Sequence, residues 1–225
     1  MKYYVTDLEA KAKVYNADEA KKKYEAALEK YKIDADEAKK AGKPAPRAPQ
    51  MVLAPGNNQN DASSLYNGMV HPLIPYAIKG AIWYQGEANA GLNLNGPNAK
   101  EPRALEYKAL YAAMITDWRK RWGHDFPFYC VQLAPFNAGN PNADNWAYLR
   151  DSQAGASEKV KNAGVAVITD AGDLGDIHPK KKEPCGVRLA LMARALVYGE
   201  KIEYLGPTFK AVKFEDKKAV VSFDH

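Results

Sequence analysis

Residues 79–89 have the sequence KGAIWYQGEAN, in which a short apolar run ends at a glutamine and a glycine. Short apolar runs bounded by turn residues are typical of buried strands. Two later segments, FPFYCVQLA from residue 126 and GVAVITD from residue 164, have the same character. The sequence therefore predicts three buried strands, near 79–85, 127–134 and 164–170.

Amphipathic helices are predicted between and after these strands, over 103–122, 146–161 and 183–198. Strands that alternate with helices of this length pair in parallel through right-handed crossovers. The fold class expected is α/β, with a parallel sheet between helical layers. In the first of these helices the side chains expected to face the core are Leu105, Leu110, Met114, Ile115 and Trp118.

The two ends of the chain differ from this central part in composition. Residues 7–41 are rich in Ala, Lys, Glu and Tyr, which is typical of an exposed helix or helical hairpin. Beyond Tyr198 the sequence changes to short alternating strands, which are predicted at 202–206, 210–215 and 218–224. We expect a helical segment with a linker over 1–61, the α/β part over 62–200, and the start of a β-rich extension over 201–225.

Charge and composition exclude several classes of protein. The net charge is +5, but much of the lysine lies in the first 43 residues among acidic side chains, as on a solvated helix, so no nucleic-acid partner is expected. Cys130 and Cys185 lack metal-ligand spacing and are expected to be buried free thiols. No apolar run is long enough for a membrane span, and the charged N-terminus does not resemble an export signal.

Polar side chains follow the first predicted strand directly. An open parallel sheet binds its ligands at the carboxyl ends of its strands, so the loops after Gln85, Ala134 and Asp170 are the expected site. The first of these loops presents Gln85, Glu87 and Asn89 around a glycine, Gly86. Taken alone, such a loop is a weak signal and is better explained as a structural turn.

The loop after the third predicted strand contains a histidine among aspartates. Its sequence is DAGDLGDIHP, which ends at His178 and Pro179. A carboxylate next to a histidine holds the imidazole in the tautomer that accepts a proton from a nucleophile. His178 is therefore the candidate general base.

Three blocks of this sequence resemble the sialate O-acetylesterase family, within the SGNH (GDSL-like) hydrolases. The blocks are LYNGMVHPLIPYAIKGAIWYQGEANA, DWRKRWGHDFPFYCVQLA and DIHPKKKEPCGVRLALMARALVYG, and the resemblance extends over roughly 62–210. It implies a three-layer, flavodoxin-like parallel sheet, incomplete here, with an N-terminal helical insertion. It further implies an enzyme without a cofactor that removes acetyl esters from sugars, in a secreted or periplasmic location.

The resemblance also implies roles for the residues of the two loops. In the family a serine, activated by the histidine before a proline, attacks the acetyl ester, and His178 matches that histidine. The family's usual aspartate, three residues earlier, is replaced by Gly175. Asp176, Asp173 and Glu87 are the alternatives for orienting the imidazole, and Asp176 is favoured.

The first loop would then form the oxyanion hole. By the same resemblance Asn89 would contribute a hydrogen-bond donor to it, while Gln85 and Glu87, on either side of Gly86, would shape it. Arg150 and Gln153, early in the second helix, would either face the sugar or lie on a solvated helix face.

The nucleophile itself is not found in this sequence. The family's Gly-Gln-Ser-Asn and Trp-Gly-Gly blocks are absent, and no serine is predicted in a strand-to-helix turn; Ser63 or Ser64 is expected to cap a short helix. The serines are Ser63, Ser64, Ser152, Ser157 and Ser222. We therefore expect this chain alone to be nearly inactive.

The sequence allows two alternatives to an esterase fragment. The first is a non-catalytic relative that binds carbohydrate or has a structural role. The second, a metal-dependent hydrolase, is disfavoured because the site loops contain one histidine and no metal-ligand spacing. The absent first part of the sheet would expose a strand edge, which favours self-association.

Overall fold

The computed structural model describes residues 2–91, 103–137 and 144–225. The chain divides into two compact units, Met1–Pro75 and Tyr76–His225. In the described part of the chain, no helix is both long and apolar enough to cross a membrane. The division into 1–61, 62–200 and 201–225 stays a prediction.

The N-terminal unit begins with a helical hairpin, α1 (Lys2–Val14) and α2 (Ala17–Lys40). Asn16 caps α2, because its side-chain oxygen accepts a hydrogen bond of 3.1 Å from the backbone N–H of Glu19. From Val5 onward, the described side chains of this unit are all at least partly exposed. The helical structure predicted for this segment is therefore present, without a buried core.

The helix predicted after Ser63 and Ser64 is replaced by two short turns, a π-helical turn at Tyr66–Val70 and a 3₁₀ turn at His71–Leu73. The Ser64 hydroxyl donates to the carbonyl of Gly56 instead of capping these turns. The prediction of a serine cap is wrong, because the first turn has no side-chain cap.

The second unit contains a three-stranded parallel sheet in the order β1 (Ala81–Trp83), β2 (Phe128–Val131) and β3 (Ala163–Ala166). This confirms the predicted parallel pairing. The strands are shorter than the apolar runs that predicted them, because the chain leaves the ladder before the last residues of each run. Among the described residues β1 pairs only with β2, and Ile82 in this edge strand is 72% exposed.

Helices cover both faces of this sheet and make it the middle of three layers. α3 (Arg103–Trp122) and α4 (Asp144–Lys159) share one buried cluster with Phe128 and Cys130, and α5 (Glu183–Leu196) packs on the opposite face. There Tyr129 contacts Met192, and Val131 contacts Cys185. Both cysteines are buried free thiols. The three-layer α/β prediction is confirmed.

The face that α3 turns to the core differs from the prediction in part. Ile115 is buried, and Met114 and Trp118 pack against the same cluster, as predicted. Leu105 and Leu110 are 48% and 38% exposed, whereas Tyr107 and Tyr111 are buried. The tyrosine rings stack at a centroid distance of 5.5 Å, and Tyr111 also packs edge-on against Phe128. Large aromatic rings bury more apolar area than leucine side chains do, so they decide which face points inward.

The C-terminal strands form an antiparallel hairpin, β4 (Thr208–Glu215) and β5 (Lys218–Asp224). Asp216 and Lys217 both have positive φ, 44° and 66°, as in a two-residue hairpin turn. The predicted strand at 202–206 is not formed.

Candidate functional site

The loop after β1 turns sharply at Gly86. This glycine is buried, and its φ is +157°, a conformation that side-chain-bearing residues rarely adopt. A Cβ at this position would lie 2.6 Å from Leu149 Cδ2. A 3₁₀ turn follows over Glu87–Asn89, closed by a 2.8 Å bond from the Asn89 N–H to the Gly86 carbonyl. The glycine therefore brings Gln85 and Asn89 to the same side of one tight turn.

The side chains of that turn are bonded to one another. Gln85 Nε2 donates a hydrogen bond of 2.9 Å to Asn89 Oδ1. The Glu87 carboxylate accepts a bond of 3.0 Å from the Gly86 N–H, so it is used in holding the turn. Because the Asn89 oxygen faces Gln85, its amide nitrogen faces away from Gln85.

A buried glutamine from α4 supports this loop. Gln153 is fully buried; its Oε1 accepts from the Leu133 N–H at 3.0 Å, and its Nε2 donates to the Gln85 carbonyl at 3.2 Å. Neither sequence expectation for Gln153 is correct, since it faces neither a sugar at the surface nor solvent. Arg150 is half-buried, and its carbonyl accepts from Gln132 Nε2.

Tyr107 of α3 supports the same loop from the other helix. Its hydroxyl accepts from Trp83 Nε1 at 3.1 Å and reaches the Gln85 carbonyl at 3.1 Å and Gln85 Oε1 at 3.3 Å. Burial raises the pKa of Tyr107 to about 12, so its hydroxyl keeps its proton at neutral pH. Tyr107 was not among the predicted site residues, and Gln153 was predicted at the surface, whereas both support this loop from the core.

The loop that carries His178 is held by its own aspartates. Asp173 Oδ1 accepts from the Gly175 N–H at 2.8 Å, and Asp176 Oδ1 accepts from the His178 N–H at 2.9 Å. His178 is exposed, whereas the following Pro179 is buried. Asp176 thus contacts the backbone of His178, as an acceptor that fixes the turn.

The imidazole of His178 has no hydrogen-bond partner among the described residues. Across the described residues, no hydrogen bond joins it to Asp176, Asp173 or Glu87. The choice among these three carboxylates stays a prediction. Asp170 is already occupied, since Arg188 donates to both of its carboxylate oxygens at 2.6 and 2.7 Å. That side-chain bonding lowers the pKa of Asp170 to about 2.

Contacts between neighbouring residues bring the strand-end loops together. Tyr84, just before Gln85, packs in an apolar cluster with Ala171 and Cys185. Lys182 Nζ lies 4.8 Å from the centre of the Tyr84 ring. Burial raises the pKa of Tyr84 to about 12, with smaller contributions from Cys185 and Glu87. The Glu87 loop and the start of α5 are therefore neighbours across Tyr84.

The loop after β2 joins the same edge of the sheet. The Asn137 N–H donates to the Leu174 carbonyl at 2.9 Å, and Gly172 lies so close to Pro135 that a Cβ would collide with it. Residues 138–143 of that loop lie outside the described residues. The direct distance between Asn89 and His178 stays a prediction.

The serines lie elsewhere in the fold. Ser152 and Ser157 are buried in α4, and Ser222 is in β5. Ser63 and Ser64 precede the π-helical turn of the first unit. None of the five follows a strand of the sheet. In the part of the chain that the structure describes, no group of three or more His, Cys, Asp or Glu side chains is suited to a metal ion.

Comparisons with known proteins agree on one family. No family model matches the sequence. The chain is 31% identical over 181 residues to sialate O-acetylesterase of Homo sapiens, covering 72% of this chain and 33% of that protein. For sialate O-acetylesterase of Mus musculus the identity is 34% over 169 residues, covering 67% of this chain and 29% of that protein.

A solved structure gives the same result for the fold. A carbohydrate acetylesterase from Xanthomonas citri superimposes with a TM-score of 0.63 at 45% sequence identity, covering 71% of this chain and 35% of that one. The chain spans about a third of the length of the relatives it matches. Over the matched part of its length, this chain is a homologue of the sialate O-acetylesterases.

Proposed function

We propose that this chain is the part of a carbohydrate O-acetylesterase that supplies the general base and part of the oxyanion hole. The reaction is hydrolysis of an acetyl ester on a sugar by a serine that lies outside this sequence. His178 takes the serine proton, a carboxylate from Asp176, Asp173 or Glu87 orients the imidazole, and Asn89 donates to the oxyanion. The substrate is an acetylated carbohydrate.

The observation that carries this proposal is the arrangement of the loop after β1. Acyl transfer requires donors that are fixed before the reaction begins, aimed where negative charge develops. Gln85 holds the Asn89 amide by its oxygen at 2.9 Å, which leaves the nitrogen side of the amide available to a ligand. The kinship with esterases supports assigning that ligand as the oxyanion of an acetyl ester.

The test compares this chain with a longer polypeptide that adds the Gly-Gln-Ser-Asn block upstream. Hydrolysis of para-nitrophenyl acetate and of an acetylated sugar is measured for both. We expect activity only in the longer polypeptide, lost there on His178→Ala. Full activity in this chain alone, abolished by His178→Ala and unaffected by Ser63→Ala and Ser64→Ala, would contradict the assignment of the nucleophile.

A second function, carbohydrate binding without catalysis, is favoured by one observation. The His178 ring makes no hydrogen bond to the neighbouring carboxylates among the described residues, and no serine stands at the sheet edge. Calorimetric titration of this chain with an acetylated sugar and with the same sugar after deacetylation separates the two functions. Tight binding by the chain, with an inactive longer polypeptide, would favour the binding function.

Self-association is proposed from the open edge of β1. In the part of the chain that the structure describes, β1 is paired on one side only, and its residue Ile82 is 72% exposed. Unpaired strand edges template pairing with another chain. Sedimentation equilibrium should show a concentration-dependent dimer that Ile82→Lys weakens; a monomer at all concentrations would contradict it.

A further inference from the structure

We propose that Gln153 and Tyr107 are positioning residues that turn the Asn89 amide so that its nitrogen faces the reacting ester. Neither residue would touch the substrate. Both act through Gln85, whose side chain bonds Asn89 directly. This inference rests on the proposed function, and it adds to that function the part of the core that prepares the oxyanion donor.

Gln153 fixes the backbone of the loop, and its own orientation is determined. The Leu133 N–H can only donate, so the atom of Gln153 that meets it must be Oε1. Nε2 then faces the Gln85 carbonyl, which can only accept. The reversed amide would set two donors against each other in a fully buried place, where an unpaired polar group is costly. Gln153 therefore acts as a rigid link between the ends of β1 and β2.

Tyr107 fixes the side chain of Gln85 by the same reasoning. The Trp83 indole N–H is a donor only, so the Tyr107 oxygen accepts from it and the hydroxyl hydrogen must point toward Gln85. The hydroxyl lies 3.1 Å from the Gln85 carbonyl and 3.3 Å from Gln85 Oε1, and the carbonyl oxygen can accept from both Gln153 and Tyr107. With Gln85 Oε1 facing Tyr107, its Nε2 faces Asn89.

The direction of these donors determines the orientation of Asn89. Gln85 Nε2 donates to Asn89 Oδ1, so the Asn89 oxygen is taken up inside the loop and its Nδ2 points away. A nitrogen in that place can donate to an oxyanion, whereas an oxygen there would repel it. The bonds run in one direction, from the Trp83 indole through Tyr107 and Gln85 to Asn89. Reversing any one of them would turn the wrong atom toward the substrate.

The first experiment uses this chain and needs no activity. The Asn89 side-chain amide resonance is identified in a ¹⁵N-labelled sample by its loss in Asn89→Asp. Gln153→Met and Tyr107→Phe should shift it and speed its hydrogen exchange several-fold. The matched controls are Gln132→Met, which removes another glutamine bond to a backbone carbonyl of α4, and Tyr111→Phe, which removes the stacked tyrosine's hydroxyl. Both should leave the resonance in place.

Tyr107→Phe preserves the packing of the ring, so it gives a folded variant even if Gln153→Met is too unstable to study. An unchanged Asn89 resonance in folded Tyr107→Phe would overturn the proposal. An equal change in the two controls would overturn it too, since the effect would then be general loosening of the core.

The second experiment uses the longer, serine-bearing polypeptide. Loss of one oxyanion donor costs ~100–1000-fold in rate, and a donor that is present but misdirected should cost ~10–100-fold in kcat with KM changed less than about twofold. A rise in KM with unchanged kcat would overturn the proposal. If the unmutated longer polypeptide has no esterase activity, the proposed function fails, while the Asn89 resonance still decides whether Gln153 and Tyr107 position that amide.

Discussion

The two loops that carry the predicted site residues are built in different ways. The loop over 85–89 is held from inside the protein, by Gln153 of α4 and Tyr107 of α3. The loop over 173–178 is held nearer the surface, by Asp173 and Asp176, each bonded to a backbone N–H two residues later, and by one bond from the Asn137 N–H to the Leu174 carbonyl. One loop depends on the buried core, and the other depends mainly on its local sequence.

This difference separates the two tasks of the proposed site. Oxyanion donors must be rigid before the reaction begins, and buried hydrogen bonds provide that rigidity. A general base must approach a nucleophile closely, and His178 is exposed on a turn fixed only at its backbone. In the proposed site, this chain would prepare the oxyanion donor by itself and leave His178 accessible to the serine that it would activate.

The strongest test of this comparison is a glycine substitution in each loop. Gly86→Ala sets a methyl group 2.6 Å from Leu149 Cδ2 at a φ unfavourable for alanine, and should lower the free energy of unfolding by about 2–4 kcal/mol. Gly175→Ala meets only Asp173 Oδ1 at 3.5 Å, so we expect a change within about 0.5 kcal/mol. Urea unfolding measures both, and equal effects would remove the distinction between the loops.

Alkaline pH tests the inner loop through Tyr107. Burial raises the pKa of Tyr107 to about 12, against an ordinary value of 10.0, so the unfolded chain loses this proton first. Its contribution to stability is constant below pH 10 and is lost as pH rises from 10 to 12, by about 2–3 kcal/mol. The free energy of unfolding of Tyr107→Phe should therefore fall less steeply over this range. Parallel pH profiles for the two proteins would contradict the prediction.

Lys182 tests the contact between the two loops. Its ammonium lies 4.8 Å from the centre of the Tyr84 ring, and such a partly exposed cation–π contact contributes about 0.5–1 kcal/mol. Lys182→Met keeps the aliphatic stem and removes the charge, so we expect a loss of that size in thermal unfolding. Lys181→Met, at the preceding exposed position, is the control, and a loss as large there would assign the effect to surface charge in general.

The smallest effect is expected at Asp176. Asp176→Ala removes the acceptor of the His178 N–H, which should speed hydrogen exchange at that amide while changing global stability by less than about 1 kcal/mol. The Gly86 amide, in the other loop, should exchange as before. Faster exchange at both amides, measured by NMR, would mean that the two loops open together.

The sequence predicted the parts of the fold that depend on local pattern. Three apolar runs separated by helices predicted the parallel sheet, because such runs are buried whichever neighbours they meet. The prediction of which α3 side chains face the core was wrong at Leu105 and Leu110. Whether the leucines or the tyrosines point inward depends on the aromatic rings that β1 and β2 present to the helix. A tertiary contact decided that face.

The candidate site likewise divides into residues predicted from local sequence and residues placed by tertiary contacts. Gln85 and Asn89 were predicted as site residues because they follow a strand directly and resemble a family motif, and the structure shows their side chains bonded to each other. Gln153 was assigned to the surface, because a glutamine on a helix is ordinarily solvated and nothing nearby in the sequence marks its partners. Its bonds reach Leu133 and Gln85, which only the folded sheet brings together.

The link between Gln153 and Gln85 also has a consequence for synthesis of the protein on the ribosome. The two residues are 68 positions apart, so β1 and its loop leave the ribosome well before α4 does. Until α4 emerges, the Gln85 carbonyl can bond only to water and to Tyr107. We therefore expect the loop over 85–89 to be less ordered at that stage. The N-terminal part of a growing chain folds first where it is able to. In this protein, the loop over 85–89 is synthesised before the loop over 173–178, but it is fixed only after α4 has been synthesised and Gln153 has bonded Gln85.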